Sequence, residues 1–454
     1  MRSAPNRSSG PGFGAGLRSV GVSGATTWRS WSGLTVAHPR QVLSPRDVDE
    51  VADAVRAARA NRMRVRMVGS GHSFTDVAVT DGLMLRPDRL TGVRAVDRDS
   101  MTVTVWSGTT LHDLNAALAG LGLGLHNMGD IDRQTVAGAI STGTHGSGGV
   151  WASLSAQVAG VELVTGDGSV LVVGEDDPDL LDAVRVSLGA LGVLTAVTFK
   201  VEPAFRLHAE EGPLGWDELV AEHDRLVAEH DHVDVHWMPY TDRALCKRND
   251  RTLDPAEPMS RVRSFVERDL VENRAVGLLN RAAEVAPRAV PRLNRWAMRA
   301  VSTRRHTDAT HRVLVAERNV RFRETEYAVP REAGMPALVE ARRLLDKHRW
   351  PVALPVEIRT APADTAFLST AHDRPSTYLA FHVSARTDHR EFFREVEALM
   401  RAHDGRPHWG KLHGRTADDL APAYPRWADF AATRDRLDPD RVFGNAHLDR
   451  VLGP

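Results

Sequence analysis

Cysteine is the scarcest chemical resource in this 454-residue sequence, where Cys246 stands alone. One thiol excludes an internal disulfide and every multi-cysteine zinc or iron–sulfur site. Lysine is nearly as rare. Lys200, Lys247, Lys347 and Lys411 are the whole set, so almost all positive charge is arginine and any lysine chemistry comes from these four. An excess of one charge sign is missing too. Lys+Arg is 58 against Asp+Glu 59, a formal net charge of −1, which gives no bulk attraction to nucleic acid or to an anionic membrane. No run approaches the roughly 20 apolar residues of a membrane span, so stable membrane insertion is not expected. Residues 1–28 are rich in Ser, Gly, Pro and Arg and hold no acid. They also lack the continuous apolar core of a signal peptide, so a disordered tail and a cytoplasmic location are the expectations.

Hydrophobic residues at 42% and charged residues at 26% are ordinary for a globular chain, and the length predicts more than one domain. From about Trp31 to Val201 short strands alternate with helices, an α+β pattern. Ser44-Pro45-Arg46-Asp47 has the form of a helix start with Ser44 as N-cap, followed by Val48, Val51, Val55 and Ala58 at helical spacing. Val65 to Val68 and Thr102 to Val105 read as strands, and Leu111, Leu114, Leu118 and Leu121 as a helix. Asp167-Gly168 is expected to turn a hairpin between two further strands. Beyond residue 202, Arg288, Arg292, Arg295 and Arg299 share a helical face. A membrane-surface helix fits that pattern, but a solvated arginine face fits a near-neutral, arginine-rich chain better.

Three stretches carry chemistry. Gly69-Ser70-Gly71-His72-Ser73-Phe74 follows a strand, and successive N–H groups there would form an anion nest; a plain tight turn fits the loop equally well. Gly129-Asp130-Ile131-Asp132, then Ser141-Thr142-Gly143-Thr144-His145-Gly146-Ser147-Gly148, are small and hydroxyl-bearing. They suit a flat ligand lying against backbone, with a bare flexible loop as the alternative. Gly405 to Leu412 nearly spells a phosphate loop, but Leu412 replaces the magnesium-binding hydroxyl and Pro407, His408 and Trp409 fill a loop that should be small. It holds a positioned Lys411 instead. Glu357 and Arg359, two apart on a strand, project from one face and either grip a polyol or pair with each other; the ion pair is the simpler reading. No metal-ligand spacing is seen.

Together these stretches resemble the flavin-dependent oxidoreductases of the vanillyl-alcohol oxidase superfamily, and within it the sugar-1,4-lactone branch of L-gulono-1,4-lactone dehydrogenases and oxidases and D-arabinono-1,4-lactone oxidases. Alditol oxidases are near relatives. The likeness runs from about residue 30 to the ending Leu437-Asp438-Pro439-Asp440-Arg441-Val442-Phe443 with Asn445. It implies a two-subdomain FAD-binding domain of the PCMH type over 29–203, an α+β substrate cap over 204–419, and a segment, 420–454, that returns to the FAD domain. It implies FAD bound by Gly69, Ser70, Gly71, His72 and Ser73, with Ser107, Gly129, Asp130, Ser141, Thr142, Gly143, Thr144, His145 and Gly146 around it. In many members the histidine at the place of His72 is bonded to the flavin, although some relatives lack that bond.

The resemblance further implies hydride transfer from a ring carbinol to flavin N5, with electrons passing to O2 or another acceptor. Glu357 would bond the reacting hydroxyls, Arg359 and Lys411 would stabilise negative charge, and His382 would accept or orient a proton. Oxidation of the gulono-lactone at C2 gives a 2-keto lactone that tautomerises to ascorbate. Asp130 stands where alditol oxidases carry a serine, which favours the lactone over an alditol such as xylitol or sorbitol. Gly129 occupies a position associated with oxygen access. The expected partners are thus a small sugar lactone or polyol and a redox acceptor, with no nucleic acid. A flavin-binding protein without turnover is the reading from another class, and the set Glu357, Arg359 and Lys411 argues against it.

Overall fold

The computed structural model describes residues 27–259, 276–316 and 320–454. Three larger sheets organise these residues. A three-stranded parallel sheet has the order Gln41–Leu43, Leu83–Leu85, Val65–Met67. A five-stranded antiparallel sheet runs Val170–Gly174, Val158–Val164, Val193–Lys200, Thr102–Trp106, Val93–Asp97. The third has eight strands in the order Arg304–Ala309, Arg206–Gly215, Arg243–Thr252, His232–Trp237, Val356–Ala361, Ser376–Ser384, Phe322–Pro330, Arg406–Pro407. The α+β class read from the sequence is what the structure shows.

Most of the proposed tail lies outside the described residues, but Trp28, at its end, already pairs with Ala37 in a small two-stranded sheet. The first helix begins later than Ser44 suggests. It spans Val48–Ala60, and its N-cap is Asp47, whose carboxylate accepts from the Glu50 N–H at 2.8 Å. A short carboxylate three residues before Glu50 satisfies the free N–H groups of the first turn, so the helix starts there and not at Ser44. The expected hairpin turn is one residue longer. Thr165 and Ser169 bond at 2.9 Å around Gly166-Asp167-Gly168, with Gly168 at φ 82°.

One apolar core joins the five-stranded sheet to the helix Leu111–Gly120 through Val103, Val105, Leu114 and Leu118. Leu420, Tyr424, Phe430, Leu448 and Val451 pack into that same core, which carries the chain's end back to its first half. The eight-stranded sheet has its own core, including Trp237, Tyr327, Phe381 and Phe392. Its strands alternate: Val356, Ile358, Val235 and Trp237 go to that core, and the residues between them face the other way. The polar face of this sheet is where the candidate chemistry collects. No helix of the described residues is long and apolar enough to cross a membrane. The arginine-bearing helix Val290–Arg299 buries Val290, Asn294 and Met298, and Arg292, Arg295 and Arg299 are exposed.

Candidate functional site

The glycine loop leaves the strand Val65–Met67 and is tied at its middle and its end. Trp31 N donates to Gly71 O at 2.9 Å, and Phe74 N donates to Gly410 O at 2.7 Å. The N–H groups of Gly69, Ser70, Gly71, His72 and Ser73 have no hydrogen-bond partner among the described residues. Five consecutive donors without acceptors, with Gly71 at φ 70°, form a nest for an anion. A Cβ at Gly69 would lie 2.2 Å from Thr135 Oγ1, so a side chain there would push the loop away from its opposite wall. Ser141, Thr142, Gly138 and Gly189 line the same groove. Buried Arg66 closes its floor by donating to the carbonyls of Leu188 at 2.6 Å, Gly189 at 3.0 Å and Phe443 at 2.8 Å.

At His72 the groove meets an inner chamber. Gly129, Asp130, Thr142, Thr144, His145, Glu326, Arg359, His408 and Lys411 line it, with the rings of Trp31, Phe74 and Phe322. His72 stacks on Trp31, centroids 5.5 Å apart. Burial, helped by the charges of Lys411 and Arg133, lowers the His72 pKa to about 4. Its ring is therefore neutral near pH 7.

Glu357 and Arg359 do share one face of the strand Val356–Ala361, as their spacing requires, and they pair at 3.1 Å. The same Arg359 Nη2 also lies 3.2 Å from Asp130 and 3.3 Å from Asp234. Burial opposes the guanidinium charge, but Asp234, Asp130 and Glu357 outweigh it and hold its pKa well above the ordinary arginine value. Glu357 is itself 5% exposed and lies behind Arg359, while Asp130 and Arg359 form the wall.

Lys411 is clamped by Glu324 and lies 3.7 Å from Glu326. Burial works against its charge, and the two carboxylates more than compensate, raising its pKa. His145 places Nδ1 on the Gly146 carbonyl and Nε2 on Glu326, both at 3.0 Å, and stacks on Tyr378 at 3.6 Å. His145, Glu326 and His408 are the one three-residue group among the described residues with metal-ligand proximity. However, His408 Nδ1 accepts from Gly410 N at 3.0 Å, Glu326 is shared by His145 and Lys411, and the set reads as a hydrogen-bond network.

His382 does not line the chamber. Its Nδ1 meets the Pro355 carbonyl at 2.9 Å and its Nε2 lies 3.3 Å from Glu324, the carboxylate that also clamps Lys411. Gly146 lines an adjoining outer cavity. Gly143, at φ 72°, turns the chain after the helix Val136–Ser141. Ser107 is fully buried away from the groove wall, and its hydroxyl has no partner among the described residues. Glu324, Glu326, Asp234 and His236 were not singled out from the sequence. Their signal was available, since Glu324-Thr325-Glu326 and Asp234-Val235-His236 place polar groups two apart on strands, but alternation alone does not separate a site from a solvated face.

Comparison with known proteins agrees with this geometry. The family described as D-arabinono-1,4-lactone oxidase matches residues 197–451, and the FAD binding domain family matches 39–174. The chain is 41% identical over 427 residues to the L-gulono-1,4-lactone dehydrogenase of Mycobacterium tuberculosis (strain ATCC 25618 / H37Rv), covering 94% of this chain and 99% of that one. It is 32% identical over 438 residues to the alditol oxidase of Streptomyces sp. (strain IKD472 / FERM P-14339), covering 94% and 99%. Among solved structures, cholesterol oxidase from B. sterolicum superposes with a TM-score of 0.81 at 21% identity over 95% of this chain and 97% of that one, a likeness of fold. A nest of free donors and a glycine at the tightest approach fit the pyrophosphate of FAD. The chain belongs to the D-arabinono-1,4-lactone oxidase family and is an FAD-dependent oxidoreductase.

Proposed function

We propose that this enzyme oxidises a ring carbinol of a sugar 1,4-lactone of the L-gulono or D-arabinono type and passes the electrons to O2 or another acceptor. The observation that carries the reading is the single guanidinium of Arg359, gripped by Asp130, Glu357 and Asp234 on the wall that also bears Lys411. When bound, FAD supplies a two-electron acceptor for the carbinol hydrogen. Asp130 and Arg359 face the hydroxyls from the chamber wall, and Glu357 fixes the guanidinium from behind. Arg359 and Lys411 keep positive charge where negative charge develops. The neutral lactone needs no charged clamp of its own. Residues 29–203 with 420–454 serve as the FAD domain and 204–419 as the cap; the core that Leu420 to Val451 share with the first half supports the return of the last segment, and Phe367, Leu368 and Trp409 of the cap reach into that core as well. A cytoplasmic location belongs to the same reading.

Anaerobic mixing with L-gulono-1,4-lactone or D-arabinono-1,4-lactone tests it: the flavin absorbance should bleach. Bleaching by xylitol or sorbitol alone, with peroxide formed in air, would favour an alditol oxidase. No bleaching by any lactone or polyol would overturn both.

A further inference from the structure

Beyond Arg359 lies a second polar cavity whose wall has a regular pattern. Five neighbouring strands of the eight-stranded sheet each contribute one charged residue at directly adjacent positions. Arg359 contacts Asp234 at 3.3 Å. Asp234 is in register with Lys247, Lys247 with Glu211, and Glu211 with Arg304. Arg304 Nε closes the series on Glu211 at 2.8 Å. All five line the cavity, together with Asn249. At about 4.8 Å per strand the row extends roughly 19 Å from the inner chamber.

The signs along this row alternate. Arginine and lysine only donate hydrogen bonds, and a carboxylate only accepts them. A ligand of one charge sign gains nothing, because the three cations Arg359, Lys247 and Arg304 face the three carboxylates Asp234, Glu211 and Asp130 in the same wall. A row of hydroxyls gains at every step, since each hydroxyl both donates and accepts. The cavity shares Asp130 and Arg359 with the inner chamber, so a substrate held there by its reacting carbinol continues directly along the row.

We infer that this cavity is a binding site for the neutral hydroxyl-bearing chain that extends from the substrate ring, with Lys247 and Asn249 reading its hydroxyls. The assignment rests on the lactone reading above and adds where substrate length is sensed. Lys247→Met suits the test because Asp234 still pairs with Arg359 and Glu211 with Arg304. Asn249→Ala is a second variant that removes no charge. Flavin absorbance in the purified holoenzymes confirms that both have folded around FAD.

The experiment is anaerobic flavin reduction, titrated with L-gulono-1,4-lactone, which carries a two-carbon hydroxylated chain, and with the 1,4-lactone of threonic acid, which carries none. The ratio of the two apparent dissociation constants, chain-bearing over chainless, is expected to rise about tenfold in each variant, the size of one or two lost hydrogen bonds. A wild-type enzyme reduced by the gulono-lactone, with variants that leave the ratio unchanged, overturns the site and leaves the lactone reading standing. A wild-type enzyme reduced by neither lactone overturns the lactone reading, and this site with it.

Discussion

Asp234 holds Arg359 from the neighbouring strand, its two carboxylate oxygens 3.3 Å from Nε and Nη2. That two-point contact sets the plane of the guanidinium, and Glu357 and Asp130 share the same Nη2. Lysine cannot reproduce a planar fork held at two points. Arg359→Lys should therefore keep FAD while slowing anaerobic flavin reduction by the lactone about 100-fold, the scale of one lost charge-stabilising group. Reduction at the wild-type rate would remove Arg359 from the chemistry.

Gly69 stands at the closest approach between the donor loop and its opposite wall. The 2.2 Å clash of a Cβ with Thr135 Oγ1 involves a side chain that also accepts from Gly138 N at 3.3 Å, so it cannot swing away without loss. Gly69→Ala should be purified with much less FAD, read from the ratio of flavin to protein absorbance. Full occupancy would mean that the loop does not cradle the cofactor.

His72 lies at the junction of groove and chamber, neutral and stacked on Trp31. A neutral ring nitrogen is the form that can bond to carbon. Acid precipitation of the holoenzyme should leave the yellow colour in the pellet, and in His72→Ala the colour should move to the supernatant. Colour wholly in the wild-type supernatant would show that FAD is held without a covalent bond.

Acid should destabilise the fold through histidines buried in the neutral form. Burial lowers the His408 pKa to about 4 from an ordinary 6.5. Between those values the unfolded chain binds the proton and the folded one does not, so stability falls as pH drops from about 6.5 to about 4 and is untouched above. The contribution of one such group is at most roughly 3 kcal/mol. His408→Gln keeps an acceptor for Gly410 N–H and removes the titration. Urea unfolding at pH 7.5 and pH 5 should show a smaller acid loss in this variant than in the wild type; equal losses would exclude His408 as a contributor.

Short-range features were legible without coordinates. The glycine loop, the strand pair Glu357 and Arg359, and the non-phosphate loop around Lys411 each express a local rule: backbone freedom, a period of two, or bulk that forbids a flexible turn. Boundaries were less legible. Ser44 and Asp47 are both able N-caps, and the choice between them depends on which N–H groups each carboxylate or hydroxyl can reach once the chain is placed.

Roles within the site needed tertiary structure. His382 reads from the sequence as a group that accepts or orients a proton, and its partner Glu324, 3.3 Å away, comes from the adjacent strand. Asp130 looked like a cofactor residue, and it meets Arg359, more than 200 residues on, in a salt bridge of 3.2 Å. One cysteine, four lysines and a balanced charge were enough to exclude disulfides, metal clusters of thiolates and bulk attraction to polyanions, because composition alone bounds those chemistries. The order of strands in the eight-stranded sheet then decided which carboxylate faces which cation. Register between strands distant in the chain is set by packing of their apolar faces, and no local pattern encodes it.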